Sequence, residues 1–369
     1  MSEAAGSGSW AQLKEQSREL DKVRAGLQDW LRRRLDDREL TVGPLTSPGN
    51  TGVANETLLF DINSSAGGGG YVARLATPDP LYLDYDLTLH YRMYEAMMAA
   101  PSVPTPAVVG YEPDPEVLGA AFFVMDRIDG VIPSDNPSWA SQGFVVEAPP
   151  AQRRRLWEST VGLLADVHRL DSTPFDFLRT GATDDGVGDC LDYWIRAQRW
   201  AAPGRPVPLT DAAEEWLLAN RPVTTALSWG DSRLPNVIYR DFTPVGMLDW
   251  DLVSLAGPQA DVAWWIIMTP PESLALEGIG SHDDFVGLWE DRTGAAASDL
   301  RWYLTFGAYR LAAIIAKLMS MFVAQGRVPA EYAEHQLDTG LHVQLLAGLL
   351  ELTPPTGVTP VVPDVELTG

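Results

Sequence analysis

Cysteine is almost missing. Cys190 stands alone in 369 residues, so no internal disulfide and no cysteine-built metal site is available, and an inert structural thiol is expected there. Lysine is nearly as scarce, at Lys14, Lys22 and Lys317 only, so a phosphate anchor on the strands of a first lobe must be arginine. Positive charge is short overall: 27 Lys and Arg face 50 Asp and Glu, a formal net charge of -23. That balance excludes a nucleic-acid binder, which needs a basic surface to displace counterions. Acidity by itself names no ligand; it would steer cationic substrates, and solubility is the plainer explanation. Long apolar runs are lacking too, and the start MSEAAGSGSW has no basic stretch leading into an apolar core. A soluble, cytoplasmic chain without membrane contact is the expectation.

What the chain does have is enough apolar residues, 46%, for a large core, and enough length for two lobes. Its chemistry is concentrated between Leu227 and Asp251, LSWGDSRLPNVIYRDFTPVGMLDWD. Two apolar runs, Val237 to Tyr239 and Val245 to Leu248, flank a turn at Asp241 to Pro244 and read as a β-hairpin. Asp231 and Asn236 precede the first strand and Asp249 follows the second, so an antiparallel pairing brings all three to one end. Mg²⁺ takes hard oxygen ligands and is usually held by one or two protein groups plus phosphates, which suits Asn236 and Asp249. Asp231 is then free to accept or orient a hydroxyl proton, with Arg233 beside it to offset charge on a phosphoryl group. Kinase sites use this order: an Asp, four residues, an Asn, then a distal metal-binding Asp.

The stretch resembles the aminoglycoside phosphotransferase and choline kinase-like branch of the protein-kinase-like fold, with motifs H-G-D-x-x-x-x-N and D-[WF]-[ED]. Trp229 departs from the family His, as in a Trp-Gly-Asp subgroup similar to hydroxyacyl-CoA-type kinases. The departure puts an antibiotic substrate in doubt. Leu255 to Ala263 resembles the family's G-x-P-x-x-D-[LV]-A, and its Asp261 reads as structural, a helix N-terminal or loop-bracing acid. The likeness is specific over residues 229 to 263 and loose in the first lobe. It implies an α+β, bilobal protein-kinase-like fold, with a small antiparallel-sheet lobe and a larger, mostly helical one. We expect residues 1–130 to hold the N-terminal helix, nucleotide-binding lobe and hinge, and 131–369 the catalytic loop and acceptor site.

The remaining segments fill this frame. Ser9 caps a packing helix expected from about Trp10 to Leu35. Gly52, Val53, Ala54 and Asn55 lie in a turn that resembles the family's nucleotide-covering loop G-x-S-N-x-T, with Ala54 for the Ser. The run Gly67 to Gly70 imitates a phosphate cradle but has no Lys-Ser/Thr after it, and reads as a flexible hairpin loop. Arg74, on the next strand, takes the place of the kinase strand lysine. Its acidic partner belongs on a helix expected over Asp84 to Ala100, where the register puts His90, with Asp86 and Glu95 as alternatives. The resemblance assigns Met125 and Ile128 to the adenine pocket. His168 reads as structural, and the acidic, glycine-rich segment 181 to 189 as a mobile loop.

These readings converge on an ATP- and Mg²⁺-dependent small-molecule kinase. It would move the γ-phosphoryl of ATP to a hydroxyl of an aminoglycoside, hydroxyacyl-CoA or simple alcohol, with Asp251 reaching the metal through water. A catalytically silent nucleotide-binding module of the same fold is the alternative. A hydrolase finds no nucleophilic Ser or Cys with a placed His.

Overall fold

The computed structural model describes residues 19–48, 55–205 and 207–367. The expected start of the first helix and the candidate loop residues Gly52, Val53 and Ala54 lie outside the described residues. In chain order the elements are α1 (Leu20–Arg34), β1 (Thr41–Val42), β2 (Glu56–Ser64), β3 (Gly67–Leu75), α2 (Leu87–Met97), β4 (Val108–Glu112), α3 (Pro115–Leu118) and β5 (Phe122–Asp126). There follow α4 (Phe144–Glu147), α5 (Pro150–His168), α6 (Gly186–Ala201), α7 (Pro208–Ala219), β6 (Val237–Arg240), β7 (Thr243–Met247), α8 (Pro258–Met268), α9 (His282–Thr293), α10 (Leu300–Ala324), α11 (Ala330–Thr339) and α12 (Leu341–Leu349).

The first lobe is an antiparallel sheet in the order β1-β2-β3-β5-β4. Its strands alternate by the two-residue period of the pleat. Leu58, Phe60, Ile62, Ala73, Leu75, Phe122 and Val124 point to one face and pack on Leu27, Trp30 and Leu31 of α1. Val72, Phe123 and Met125 point to the other and join Met93, Tyr94 and Met97 of α2 in the main core. The glycine run is not a loop: Gly67 to Gly70 form the first half of β3, paired with Asp61 to Ser64, and the turn is Ser65-Ala66. Backbone pairing needs no side chain, so local composition misled where the ladder decided. The α2 helix is shorter than expected, because Asp86 caps it by accepting from Thr88 N.

The chain leaves the sheet through Arg127 to Val131, where Val131 and Tyr239 exchange backbone hydrogen bonds of 2.9 and 2.8 Å. The second lobe is helical apart from the β6–β7 hairpin. Its turn is two residues, Asp241 and Phe242, with φ of 50° and 59°, the handedness that matches strand twist. At the centre runs α10, in contact with α6, α7, α8, α11 and α12. By length and composition α10 alone among the described helices could cross a membrane, yet it is mostly interior and carries the buried Arg310. Segment 181 to 185 is pinned rather than loose: Asp189 accepts from the backbone N–H groups of Thr180, Gly181 and Thr183 and from Arg179 Nε at 2.7 Å. Beyond Thr353 the described residues of the tail form no helix or strand.

Candidate active site

Trp229, Gly230 and Asp231 form a loop between α7 and β6 whose backbone hangs on one acid. Asp261, in the first turn of α8, accepts from Trp229 N at 2.6 Å, Gly230 N at 2.7 Å and Ser228 Oγ at 3.0 Å. His168 Nε2 donates to it at 2.9 Å, and His168 Nδ1 accepts from Trp289 Nε1 at 2.8 Å, which fixes the tautomer. Both structural readings, of Asp261 and of His168, therefore hold. Gly230 has φ +97°, and a Cβ there would lie 2.0 Å from the Leu252 carbonyl oxygen, so no other residue fits. Trp229 is fully buried and its Nε1 donates to the Leu248 and Asp249 carbonyls at 2.9 and 3.1 Å. In place of the family His, it ties this loop to the end of β7.

The two ends of the hairpin meet as the spacing predicts. Leu248 N donates to the Asn236 carbonyl at 2.9 Å, and Asn236 Nδ2 donates to the Asp231 carbonyl at 2.9 Å and to Asp231 Oδ2 at 2.7 Å. With its amide nitrogen so engaged, Asn236 presents Oδ1 as the atom free to meet a cation. Asp231 is 8% exposed. Arg233 Nε donates to its Oδ2 at 2.9 Å while Arg233 Nη1 reaches Asp135 at 2.6 Å. Trp264 Nε1 donates to the other oxygen, Oδ1, at 2.7 Å.

Asp249 has φ 58°, and burial, Asp251 and Asp231 push its carboxyl up to about 7. A carboxylate so crowded by other acids is a place for a cation. Among the described residues no group of three or more His, Cys, Asp or Glu is arranged as a metal cage. Magnesium needs none, since one or two protein oxygens suffice when phosphates supply the rest.

Arg74 departs from expectation. No acidic side chain of α2 pairs with it: Asp86 caps the helix and Glu95 accepts from Tyr91, while His90 turns to the same acid that Arg74 meets. Its partner is Asp251, from the other lobe, at 3.2 Å. His90 Nδ1 meets the same carboxylate at 2.9 Å, Asn55 Nδ2 donates to it at 3.1 Å, and Tyr85 OH bonds to Asn55 Oδ1. Burial works against the Arg74 cation, but Asp251 together with Tyr94, Asp249 and Tyr85 more than offsets it. Asp251 is held well below the usual carboxylate range, burial being outweighed by Arg74 and His90. Asp251 thus forms a latch between the lobes that the sequence reading did not foresee. The reason is distance along the chain: no local pattern announces a pairing across 177 residues.

Met125 is buried in the main core, and Ile128 packs near Gly246 and Ile238. Tyr82, Asp135, Trp264 and Arg310 also belong to the neighbourhood of the carboxylates. Tyr82's hydroxyl is raised well above its usual value by burial and then by Asp249, Asp251 and Asp231. Only Arg310, a cation in an otherwise apolar stretch, carried a signal in the sequence. A surface cleft of about 580 Å³ lined by Arg154, Arg155, Arg169 and Arg292 borders Thr243 and Pro244, at the turn end of the hairpin, away from the carboxylates.

A small antiparallel-sheet lobe over a helical lobe, with two acids and an amide at one end of a hairpin between them, defines a kinase-like phosphotransferase. The chain belongs to the phosphotransferase enzyme family (APH), whose model matches residues 48–313. Among solved structures it resembles a Ralstonia eutropha protein provisionally assigned as an aminoglycoside phosphotransferase, with TM-score 0.64 and 22% identity over 86% of this chain and 94% of that one. It also resembles a thermostable mutant of aminoglycoside phosphotransferase APH(4)-Ia bound to ADP and hygromycin B, with TM-score 0.54 and 15% identity over 86% and 98%. Likeness at these identities shows the fold. In sequence it is similar to acyl-CoA dehydrogenase family member 11 of Rattus norvegicus, 24% identical over 338 residues, 83% of this chain and 40% of that protein. The Gallus gallus counterpart is 29% identical over 240 residues, 61% and 29% of the respective lengths. The chain spans less than half the length of these curated relatives.

Proposed function

We propose that the chain transfers the γ-phosphoryl of ATP to a hydroxyl group of a small molecule. The observation that carries this reading is the convergence of Asp231, Asn236 and Asp249 where β6 and β7 meet. Asp231 orients the acceptor hydroxyl and takes its proton as the oxygen attacks phosphorus in line. Asn236 and Asp249 would hold Mg²⁺, which when bound neutralises charge on the phosphate oxygens. Arg233 offsets the charge that develops on the transferred group. Arg74, which pairs with the Asp251 carboxylate in the structure, grips the nucleotide phosphates. Gly52 to Asn55 cover the nucleotide, and Met125 and Ile128 line the adenine side. We place the lobe boundary near Gly130.

Two acceptor chemistries deserve priority: a hydroxyacyl-CoA, because the sequence relatives are named acyl-CoA dehydrogenases, and an aminoglycoside, because a structural neighbour is bound to hygromycin B. A screen of both, with simple alcohols, for ADP release from Mg·ATP tests the proposal. Asp231→Asn should lower kcat on the order of 10²- to 10⁴-fold while nucleotide still binds, and Asp249→Ala should weaken Mg·ATP binding itself. Wild-type turnover by both variants with the true acceptor sinks these roles. Nucleotide binding with no turnover on any acceptor favours the catalytically silent alternative.

A further inference from the structure

Arg310 is a buried cation that no carboxylate among the described residues touches. It is 2% exposed, midway along α10, and its guanidinium lies 4.5 Å from the Trp264 ring, 5.3 Å from Trp194 and 5.8 Å from Phe306. Its Nη2 donates to the Gly230 carbonyl at 2.9 Å, and its Nε has no hydrogen-bond partner among the described residues. Burying a guanidinium without an ion pair is costly, and replacement by an apolar residue often leaves a fold as stable or more so. Three aromatic faces return part of that cost. What else the arrangement does is visible in what Arg310 touches. Gly230 is the residue before Asp231, and Trp264, against which Arg310 lies most closely, is the residue whose Nε1 holds Asp231 Oδ1 at 2.7 Å.

We propose that Arg310 and Trp264 are positioning residues that set the orientation of the Asp231 carboxylate from behind. The proposal rests on the assignment of Asp231 as the group that handles the acceptor hydroxyl. Asp231 is held on both oxygens: Arg233 and Asn236 take Oδ2 from the site side, and Trp264 takes Oδ1 from the core side. Removing the core-side donor leaves the carboxylate anchored through Oδ2 alone and loosens its rotation about the Cβ–Cγ bond, which spoils a near-attack geometry without touching the groups that meet nucleotide. Arg310 fixes the indole by lying on its face and fixes the loop by its bond to Gly230. Trp264 therefore acts directly on Asp231, and Arg310 acts through Trp264 and the Gly230 carbonyl.

The test uses the full chain, Mg·AMP-PNP binding by calorimetry, and release of ADP from Mg·ATP with water or the identified hydroxyl compound as acceptor. Trp264→Phe keeps the packing face and deletes the N–H. We expect kcat to fall roughly 10- to 100-fold, the worth of one hydrogen bond to a charged group, with AMP-PNP affinity and Tm near wild type. Arg310→Met should lower kcat in the same way, and Arg310→Lys, which keeps the charge but not the planar fork, should recover only part of it. The decisive measurement is the double variant: Asp231→Asn with Trp264→Phe should be no slower than Asp231→Asn alone, because the Trp264 effect passes through Asp231. Unchanged kcat in Trp264→Phe, parallel losses of kcat, affinity and Tm, or additive losses in the double variant would overturn the inference. If Asp231→Asn itself turns over like wild type, the fault lies instead in the functional proposal.

Discussion

At the scale of single residues, Asp249 shows what the site costs the fold. Its carboxyl is pushed up to about 7 by burial and by Asp251 and Asp231, against an ordinary value of 3.8, so the folded chain binds a proton there that the unfolded chain has already lost. Without a cation, stability should fall as pH rises between about 4 and 7, and stay low above that. Asp249→Asn removes the penalty. In thermal melts in EDTA the variant should be more stable than wild type at pH 8, the gap closing as pH falls toward 4. A gap of the opposite sign at pH 8 would mean that the acids are not crowded as described. Cys190 needs no such account: burial raises its thiol, as befits an inert core residue.

At the scale of elements, the notable contact is the latch that joins β3, α2 and the start of β2 to the segment after β7. Arg74, His90 and Asn55 all come from the small lobe and all meet Asp251 from the large one. Asp251→Asn leaves a buried guanidinium short of its counter-charge, and should lower unfolding free energy by about 3–5 kcal/mol in urea titrations. Arg74→Met combined with Asp251→Asn should cost less than the two single changes added together. Additive losses would show that the two side chains do not act as a pair. This element also marks where sequence reading stops. The motif from Trp229 to Asp261 was legible because its chemistry lies in one continuous stretch, where a hairpin's geometry turns spacing into proximity. Arg74 was legible as a cation in a lysine-poor chain. Its partner was not, since His90, Asp86 and Glu95 all satisfied the local helical register and the true partner stands in another lobe. The glycine run failed for a related reason: glycine's freedom says what a backbone is able to do, and β2 decided what it does.

At the scale of the whole molecule, the two-lobed architecture was implied by the family resemblance that one motif carries, in a chain long enough for it, while the interior of the large lobe was not. The sequence analysis assigned no role to Trp264 or Arg310, because only the packing of α8 against α10 brings them behind Asp231. The net charge of -23 also acts at this scale. Self-repulsion among surface acids opposes the compact state and is screened once the Debye length drops to about 8–10 Å near physiological salt. The midpoint of thermal unfolding should therefore rise as NaCl goes from about 10 to 150 mM. A flat or falling midpoint would show that attractive pairs such as Arg221 with Asp185 outweigh the repulsion.

The placement of α10 bears on biosynthesis. This greasy rod is clasped by α6, α7 and α8, made before it, and by α11 and α12, made after it. During translation it leaves the ribosome with the look of a bilayer-spanning segment and only part of its sheath. Until residues 330 to 349 emerge to cover the remaining side, the nascent polypeptide offers chaperones a sticky surface that the finished enzyme hides. Ribosomes stalled ahead of α11 should accordingly retain bound chaperone, and those stalled well past α12 should shed it.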